Sequence, residues 1–533
     1  MFSIYVLAIV ILSHLLFRWI MYPMWFSPLG KIPNAHWSAP FSSFWIQWRR
    51  YLGKEVETVC DAIQRKGNIV RLGPSELLVN DYDGGVRKIY GGGFEKPDWY
   101  TFYENHGQRN IFTSLGKDHV PRRRRITNVY SKTFIQDSPQ VREILSTLVF
   151  QRYLPVLQNA SHKQIPFGIL GLNLAYGIDA VGAFMVGLPR ATQFILDVEA
   201  RNIWLDAYLE SHPSDYMFWL LEAPTLTRFL AKIGLDPIPK SVEQAHHKLE
   251  EWALRLTDET EEAWNEANLK PHSGRDTPIV YNQLRLAISQ ELRNSGLKED
   301  EASLYEVQRL ELASEILDQL VATRDVFGIT FTYILWEISK HPEWQEKLQA
   351  ELRSVPNPLY LSTRFDDTKM MTPKQLEGLS ILQIMIKESM RLRGTLPVPN
   401  PRLTPYDRPT TIGPYENIPG GVRTNSFAWC LHRDASVYED PDVWRPERWI
   451  RHSDEREEMD KQFWAFGSGS RLCLGMSFAM EMIRYAVAGI YTNFSTSIVD
   501  DSTFCTNGHF VTGLPGEDLV LQFTPLDPVS AST

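Results

Sequence analysis

A single cysteine closes a glycine-rich run, Phe466-Gly467-Ser468-Gly469-Ser470-Arg471-Leu472-Cys473-Leu474-Gly475, directly before the helical pattern SFAMEMIRYAVAGI. A cysteine at a helix N-terminus has its thiolate favoured by the backbone N–H groups and the helix dipole. Glycines let the backbone approach a flat ligand closely, and Arg471 supplies a cation two residues away. On these residues alone, a buried cysteine in a Gly/Ser turn is the commoner outcome.

Two further constellations carry charge at helical spacing. Glu388-Ser389-Met390-Arg391 places an acid and a base at i, i+3, on one face, where they can pair. Such pairs are common on solvated faces, so the motif says little by itself. Pro446-Glu447-Arg448-Trp449 lies between it and the cysteine. Upstream, His119 and Arg122 to Arg125 form a basic run, which read alone is a solvated one.

These groups need elements to hold them. Thr372-Pro373-Lys374-Gln375 reads as a capping box with proline at the first helical position, and the helix it opens is expected to reach Arg391. Glu306 to His341 is one long helical pattern. Its second half is apolar nearly all round, as for a helix through a core, and His341-Pro342 ends it. Pro397, Pro399 and Pro401 then enforce extended structure, with short strands over Arg402 to Thr424. Near the start, Arg50 to Lys66 reads as an amphipathic helix, followed by a hairpin, IVRLG and ELLVN, turning at Pro74-Ser75. Most of Lys117 to Asn268 is helical in pattern, with a polar loop over Ala267 to Tyr281. Within it, Ile165 to Leu188 is apolar but carries Asn173, Asp179 and several glycines, which favours a buried helix over a membrane span.

The cysteine segment resembles the haem-binding loop of the cytochrome P450 family, F-x-x-G-x-R-x-C-x-G, at every fixed position from Phe466 through Arg471 and Cys473 to Gly475. Glu388 and Arg391 resemble the family's E-x-x-R pair, and Pro446 to Trp449 its P-E-R-F segment. Arg402, fourteen residues after Glu388, falls where the family has a propionate-binding arginine. His119 and Arg123 match its helix at the haem edge, with His119 where many members have tryptophan. His432-Arg433-Asp434 matches another recurrent segment, and Phe26-Ser27-Pro28-Leu29 looks like the hinge of filamentous-fungal microsomal members.

The resemblance implies a mainly α fold, with a large helical domain, a smaller β-rich domain and one N-terminal transmembrane helix. It implies haem b (iron protoporphyrin IX) with Cys473 as the axial ligand of the iron. Thiolate ligation favours dioxygen activation. It implies His119, Arg123 and Arg402 as propionate contacts. Glu388, Arg391 and Arg448 become a structural network pinning the cysteine loop. The activity implied is that of a monooxygenase, an oxidoreductase taking dioxygen and a small apolar or aromatic substrate, with electrons from a separate NADPH-cytochrome P450 reductase. No dinucleotide fingerprint or fused flavin domain is visible in the chain. Fungal secondary-metabolite biosynthesis is the expected setting.

One departure bears on chemistry. The family's A-G-x-[D/E]-T-T groove reads Ala322-Thr323-Arg324-Asp325-Val326-Phe327 here. The acid is kept as Asp325, but Val326 replaces the threonine that assists proton delivery, and valine has no hydroxyl. Three readings follow. A substrate hydroxyl or bound water completes the relay, Thr323 and Thr330 being substitutes at other helix positions; or the enzyme performs oxidative coupling or ring closure; or it is a redox-independent haem isomerase. The substrate is expected near Asp325, Val326 and the Leu396 to Pro399 loop, with Trp99 to Phe102, Tyr103 and His106 in the variable substrate segment.

The chain's 533 residues, 43% hydrophobic and 22% charged, exclude a mainly disordered or coiled-coil architecture. The net charge of −9 argues against general nucleic-acid binding. Cys60, Cys430, Cys473 and Cys505 show no CxxC pairing, so neither a zinc ribbon nor a disulfide framework is suggested. Residues 1–21 read as an uncleaved membrane anchor, 22–45 as a proline-rich linker and 46–533 as the haem-thiolate catalytic domain. No Lys or Arg precedes Arg18, whereas Lys31, Arg49, Arg50 and Lys54 follow, which keeps the body cytosolic. A single-pass protein of the endoplasmic reticulum membrane is the resulting expectation.

Overall fold

The computed structural model describes residues 2–213, 216–267, 277–294, 300–361, 370–394, 399–450, 454–504 and 518–527; of Phe2, Ser3, Ile4, Lys117 and Asp325 only the backbone is described. Cys505, most of the 267–281 loop and positions 396–398 lie outside these residues.

Helices dominate, and the central pair explains why they pack. The Leu170–Val186 helix is buried along almost its whole length. Its polar residues are satisfied internally: Asn173 accepts from the Tyr153 hydroxyl at 2.6 Å and donates to Thr332 at 2.9 Å. Asp179 accepts from Thr192 at 2.6 Å and from the backbone N–H groups of Phe194 and Ile195. This is the buried helix expected from 165–188. The long pattern after Glu306 is helical from Glu301, but not uniformly. Glu301–Ala322 and Ile329–Lys340 are α-helical, and the six residues between them, Thr323–Gly328, form a π turn. The two core helices meet at this turn with little between them. A Cβ on Gly177 would lie 2.8 Å from the Phe327 ring, and one on Gly328 would lie 2.7 Å from the Leu174 side chain.

Two other helices are shorter than their patterns. The capping box at Thr372 is present with both reciprocal bonds, but Pro373–Glu377 stops at Gly378, and the helix carrying Glu388 and Arg391 restarts as Ser380–Leu392. Glu351 caps that new start, accepting from the N–H groups of Ile381 and Leu382. Phe44–Tyr51 and Glu55–Lys66 are likewise separate, because Gly53 turns between them with φ 68°.

The strands are β1 (Ile69–Gly73), β2 (Glu76–Val79), β3 (Phe167–Gly168), β4 (Arg402–Leu403), β5 (Thr410–Ile412), β6 (Tyr415–Ile418), β7 (Arg423–Asn425), β8 (Phe494–Asp500) and β9 (Val520–Pro525). β1 and β2 form the expected hairpin, pairing Ile69 with Val79. β7 joins β2 in parallel and β4 joins β7 antiparallel, giving the order β1-β2-β7-β4. This sheet fixes Arg402 opposite Thr424. β3-β9-β8 and β5-β6 form two smaller sheets.

The N-terminal helix continues beyond Leu16 as π turns through Pro23 to Phe26. Tyr5–Phe26 is 22 residues of apolar helix with none of it buried against the protein. Distant cysteines also meet: Cys60 and Cys430 are free thiols with Sγ atoms 2.8 Å apart.

Candidate active site around Cys473

The cysteine loop is built by backbone geometry. The Cys473 N–H donates to the Phe466 carbonyl at 2.9 Å, closing the loop on itself. Gly469 has φ 68°, and a Cβ there would lie 2.1 Å from the Tyr90 carbonyl oxygen, so only glycine fits. Gly475 caps the Met476–Asn493 helix, and a Cβ on it would meet nothing within 4 Å. Phe466 is partly buried against the main core. Cys473 keeps accessible surface. Burial nevertheless pushes its thiol up, while the N–H groups of Gly475 and Met476 and the charge of Arg123 favour the thiolate. A group both accessible and crowded by protein opens onto an internal cleft.

A buried network holds this loop to the core. Glu388 is fully buried. Its Oε1 accepts from Arg391 Nη2 at 2.8 Å, Arg448 Nε at 2.9 Å and the Arg445 N–H at 2.9 Å. Its Oε2 accepts from Arg391 Nε and Trp449 Nε1, both at 2.9 Å. Five donors offset the burial penalty, and the carboxyl is held below its ordinary range. Arg391 Nη1 also donates to the carbonyls of His432 and Pro441. His432 carries the chain onward. Its Nε2 accepts from the Trp464 N–H at 2.7 Å, so Nδ1 is the protonated nitrogen and donates to the Arg391 carbonyl at 2.9 Å. The Trp464 indole donates to Ser468 within the cysteine loop at 2.8 Å.

Cationic donors gather on the other side of the loop. Arg402 is buried, with Nη1 on the Tyr100 hydroxyl at 2.8 Å and its guanidinium over the Tyr90 ring. Arg471 donates to the Ser114 carbonyl at 2.9 Å, and its pKa falls to about 10 through burial, with the charge of Arg402 adding to the shift. His119 is buried and driven down to about 3, first by desolvation and then by Arg471, Arg123, Lys96 and Arg402. Arg123 is lowered by burial and feels the Cys473 charge. Lys96, which sequence reading missed, is buried among them and pushed well below its ordinary value by desolvation, Arg402 and Arg471. Its ammonium donates to the Phe112 carbonyl and lies 4.1 Å from the centres of the Tyr100 and Phe112 rings. Several buried cations repelling one another are costly unless an anion joins them. A flat group carrying two carboxylates, with a soft metal for the thiolate, fits this donor set.

The central helix forms the facing wall. Ala322 is exposed and Val326 half-exposed, whereas Ile329 and Thr330 beyond them are buried. Gln319 accepts from the Tyr130 hydroxyl. Tyr130 lies close enough to Cys473 to feel its charge. Asp318 in turn faces Lys96. The helix therefore overlooks both the cysteine loop and the cation cluster. Thr323 does not restore the missing hydroxyl at Val326. Its methyl packs toward Gly177 and its O–H donates to the Gln319 carbonyl at 2.7 Å. Asp325 has its backbone in the π turn, and its side chain lies outside the described set. Trp99 of the variable segment donates to Glu222 Oε1 at 2.9 Å.

The family model for cytochrome P450 matches residues 215–519. Cytochrome P450 monooxygenase avaI of Aspergillus versicolor is 24% identical over 80% of this chain and 94% of its own length. Cytochrome P450 monooxygenase tazI of Aspergillus terreus is 26% identical over 92% of both chains. Tryprostatin B 6-hydroxylase of Aspergillus fumigatus is 25% identical over 89% of this chain and 76% of its own.

Proposed function

Because the chain belongs to the cytochrome P450 family, an oxidoreductase family whose fungal members named above are monooxygenases, we propose that it hydroxylates a small apolar or aromatic substrate in secondary metabolism. The observation that carries this reading is an accessible Cys473, seated in backbone N–H groups, near a group of buried and half-buried basic side chains at Lys96, Arg123, Arg402 and Arg471. Haem b suits both halves. Cys473 would ligate the iron, and Lys96, His119, Arg123, Arg402 and Arg471 would receive the propionates. When bound, the haem supplies dioxygen activation.

The protein's own part is positional. The Glu388–Arg391–His432–Trp464 chain holds the loop rigid, so that the sulfur keeps one orientation. Ala322 leaves room above the cleft, and Val326 presents an apolar surface to it. With no hydroxyl at Val326, the proton needed there comes from the substrate or a water it orders.

Membrane placement rests on the unburied Tyr5–Phe26 helix with Lys31, Arg49 and Lys54 following it. Exposed Phe44, Trp48 and Tyr51 adjoin the 218–222 turn through Tyr51–Phe218 ring contact, and Leu226, Phe229 and Ile233 follow on the next helix. This apolar face would rest on the endoplasmic reticulum surface beside the anchor, with the catalytic domain cytosolic. Electrons would come from a separate NADPH-cytochrome P450 reductase.

The bare wall at Val326 also favours a second reading, oxidative coupling or redox-independent isomerisation. Turnover under isotopically heavy dioxygen, with and without reductase, separates them. Heavy oxygen in the product, only with reductase, supports hydroxylation. Reductase-dependent product without it supports coupling, and reductase-independent turnover supports the isomerase.

A further inference from the structure

Two thiols outside the cysteine loop pack against each other. Cys60 stands on the Glu55–Lys66 helix, on one face with Val56 and Ile63. Cys430 stands on the short Ala428–Leu431 helix, 370 residues later in the chain. They meet in a small apolar cluster with Ile46, Val59, Val70 and Phe427, separate from the main core. Their sulfurs are in contact at 2.8 Å and both are free thiols. Among the described residues no further His, Cys, Asp or Glu joins them to make a metal site.

The two thiols are not equivalent. Cys60 is half-buried and reaches solvent, whereas Cys430 is buried. Arg433 stands beside them, its guanidinium over the Trp429 ring at 3.3 Å. Its Nε donates to Asp442 Oδ1 at 2.9 Å and its Nη2 to the Leu392 carbonyl at 2.7 Å. Its Nη1 is buried and, among the described residues, meets no acceptor. This cation acts on both sulfurs. The Cys430 S–H and then Arg433 pull the Cys60 thiol down against burial, with Asp442 opposing. The same hydrogen bond, together with burial, pushes Cys430 up. The accessible sulfur is therefore the nucleophile, and the buried one holds the proton.

We propose that Cys60 and Cys430 form a redox modification site whose co-reactant is a small hydroperoxide. The Cys60 thiolate attacks one peroxide oxygen, so that an S–O bond forms as the O–O bond breaks. Cys60 becomes a sulfenic acid, and the hydroxide released recovers the proton that Cys60 gave up. The Cys430 sulfur then attacks the Cys60 sulfur. The S–S bond forms, the S–O bond breaks, and the leaving hydroxide departs as water with the Cys430 proton. The two thiols lose two electrons and two protons, and hydrogen peroxide becomes two waters. Two equivalents of a monothiol such as glutathione reverse the change and leave as their own disulfide. In a reducing cytosol a pair of this kind is open at rest and closes only under oxidant.

The site is wired to the cysteine loop. Cys430 lies two residues before His432, whose backbone N–H donates to the Ala428 carbonyl at 2.9 Å. The His432 ring joins the Arg391 carbonyl to the Trp464 N–H, and Trp464 holds Ser468. Closing the disulfide fastens the Glu55–Lys66 helix to the turn that supports this chain. Because it also constrains the unfolded chain, oxidation steadies the loop rather than dismantling it. That consequence depends on the haem reading; the dithiol chemistry does not.

The test uses the full-length, haem-loaded protein, first reduced and freed of reductant. It receives a brief pulse of hydrogen peroxide, remaining thiols are capped with N-ethylmaleimide, and peptides are read by mass spectrometry without reduction. Wild type should yield a peptide joining Cys60 to Cys430 that glutathione removes. Cys430→Ser should stop at a sulfenic acid on Cys60, trapped by dimedone, and Cys60→Ser should leave Cys430 as a capped thiol. A wild type that keeps both cysteines as thiols while Cys505 is oxidised overturns the proposal, as does a dimedone adduct on Cys430 in Cys60→Ser. The wild-type cross-link decides alone if either variant fails to fold. Wild type oxidised with diamide, which spares the haem, should lose its Soret band in urea about tenfold more slowly than the reduced protein, and neither serine variant should respond to diamide. Equal rates in wild type overturn the link to the loop. Absence of a red-shifted CO band in reduced wild type counts against the haem-thiolate reading instead, and the cross-link still decides for the dithiol.

Discussion

Arg391 grips Glu388 with two parallel hydrogen bonds, Nε to Oε2 at 2.9 Å and Nη2 to Oε1 at 2.8 Å, and neither side chain reaches solvent. The pair lies on one helix, but its other bonds run to Arg445, Arg448, Trp449, His432 and Pro441. It therefore ties one helix to the segment that leads into the cysteine loop. Glu388→Gln keeps the shape and removes the charge, leaving two buried guanidinium groups uncompensated. A loss of about 3–5 kcal/mol is expected, seen as a lower unfolding midpoint together with loss of haem. A variant that keeps both would contradict the structural role.

His432 should make the same region sensitive to acid. Its ring must stay neutral to accept from the Trp464 N–H, and burial and Arg391 depress it to about 3. The unfolded chain takes a proton there below about 6.5, and the folded chain refuses it until about 3. Stability should therefore fall as pH drops through this window. His432→Phe should flatten that slope and cost about 1–3 kcal/mol for the unpaired N–H. Urea midpoints measured across the window check both effects; an unchanged slope contradicts the assignment.

Much of this framework was legible in the chain. The loop at Cys473, the acid–base pair at Glu388 and Arg391, the capping box at Thr372 and the hairpin at Pro74 are local patterns, set by spacing and turn chemistry. What escaped depends on tertiary contact. Lys96 and Asp318 belong to no motif, and only the folded chain brings them to one cleft. The π turn at Thr323–Gly328 accompanies the close crossing at Gly177, more than a hundred residues away. The break at Gly378 needs Glu351, from another helix, to cap the restart. The parallel pairing of β2 with β7 joins segments that no local pattern relates.

Glu222 closes the roof of the molecule onto the sheet. It accepts from Arg423 Nη1 and Nη2 at 2.7 and 2.8 Å and from Trp99, with Arg50 at 3.3 Å. Despite burial, Arg423 and Arg50 draw its carboxyl down to about 2. Its contribution is complete above about 4.5 and is lost as pH falls toward about 2. Glu222→Gln should loosen the 218–232 segment selectively, seen as hydrogen exchange there accelerated roughly tenfold or more while the Leu170–Val186 helix keeps its protection. Uniform acceleration would contradict a local latch.

Val326→Thr adds a hydroxyl to the wall at nearly constant shape. If protons at this position now come only from substrate or water, the variant should raise the share of NADPH electrons recovered in oxygenated product, by about twofold or more, and lower peroxide release. Product and peroxide measured against NADPH consumed give the answer. An unchanged ratio would show that Val326 is not where proton delivery is limited.

The central claim is that Cys473 holds haem iron as a thiolate, and the absorption spectrum of the reduced, CO-bound protein tests it most directly. The wild type should give a strongly red-shifted Soret band, and Cys473→Ser should lose that band while the helical far-UV signal persists. A folded wild type that binds haem without the red-shifted band, or a Cys473→Ser variant that retains it, would contradict the account.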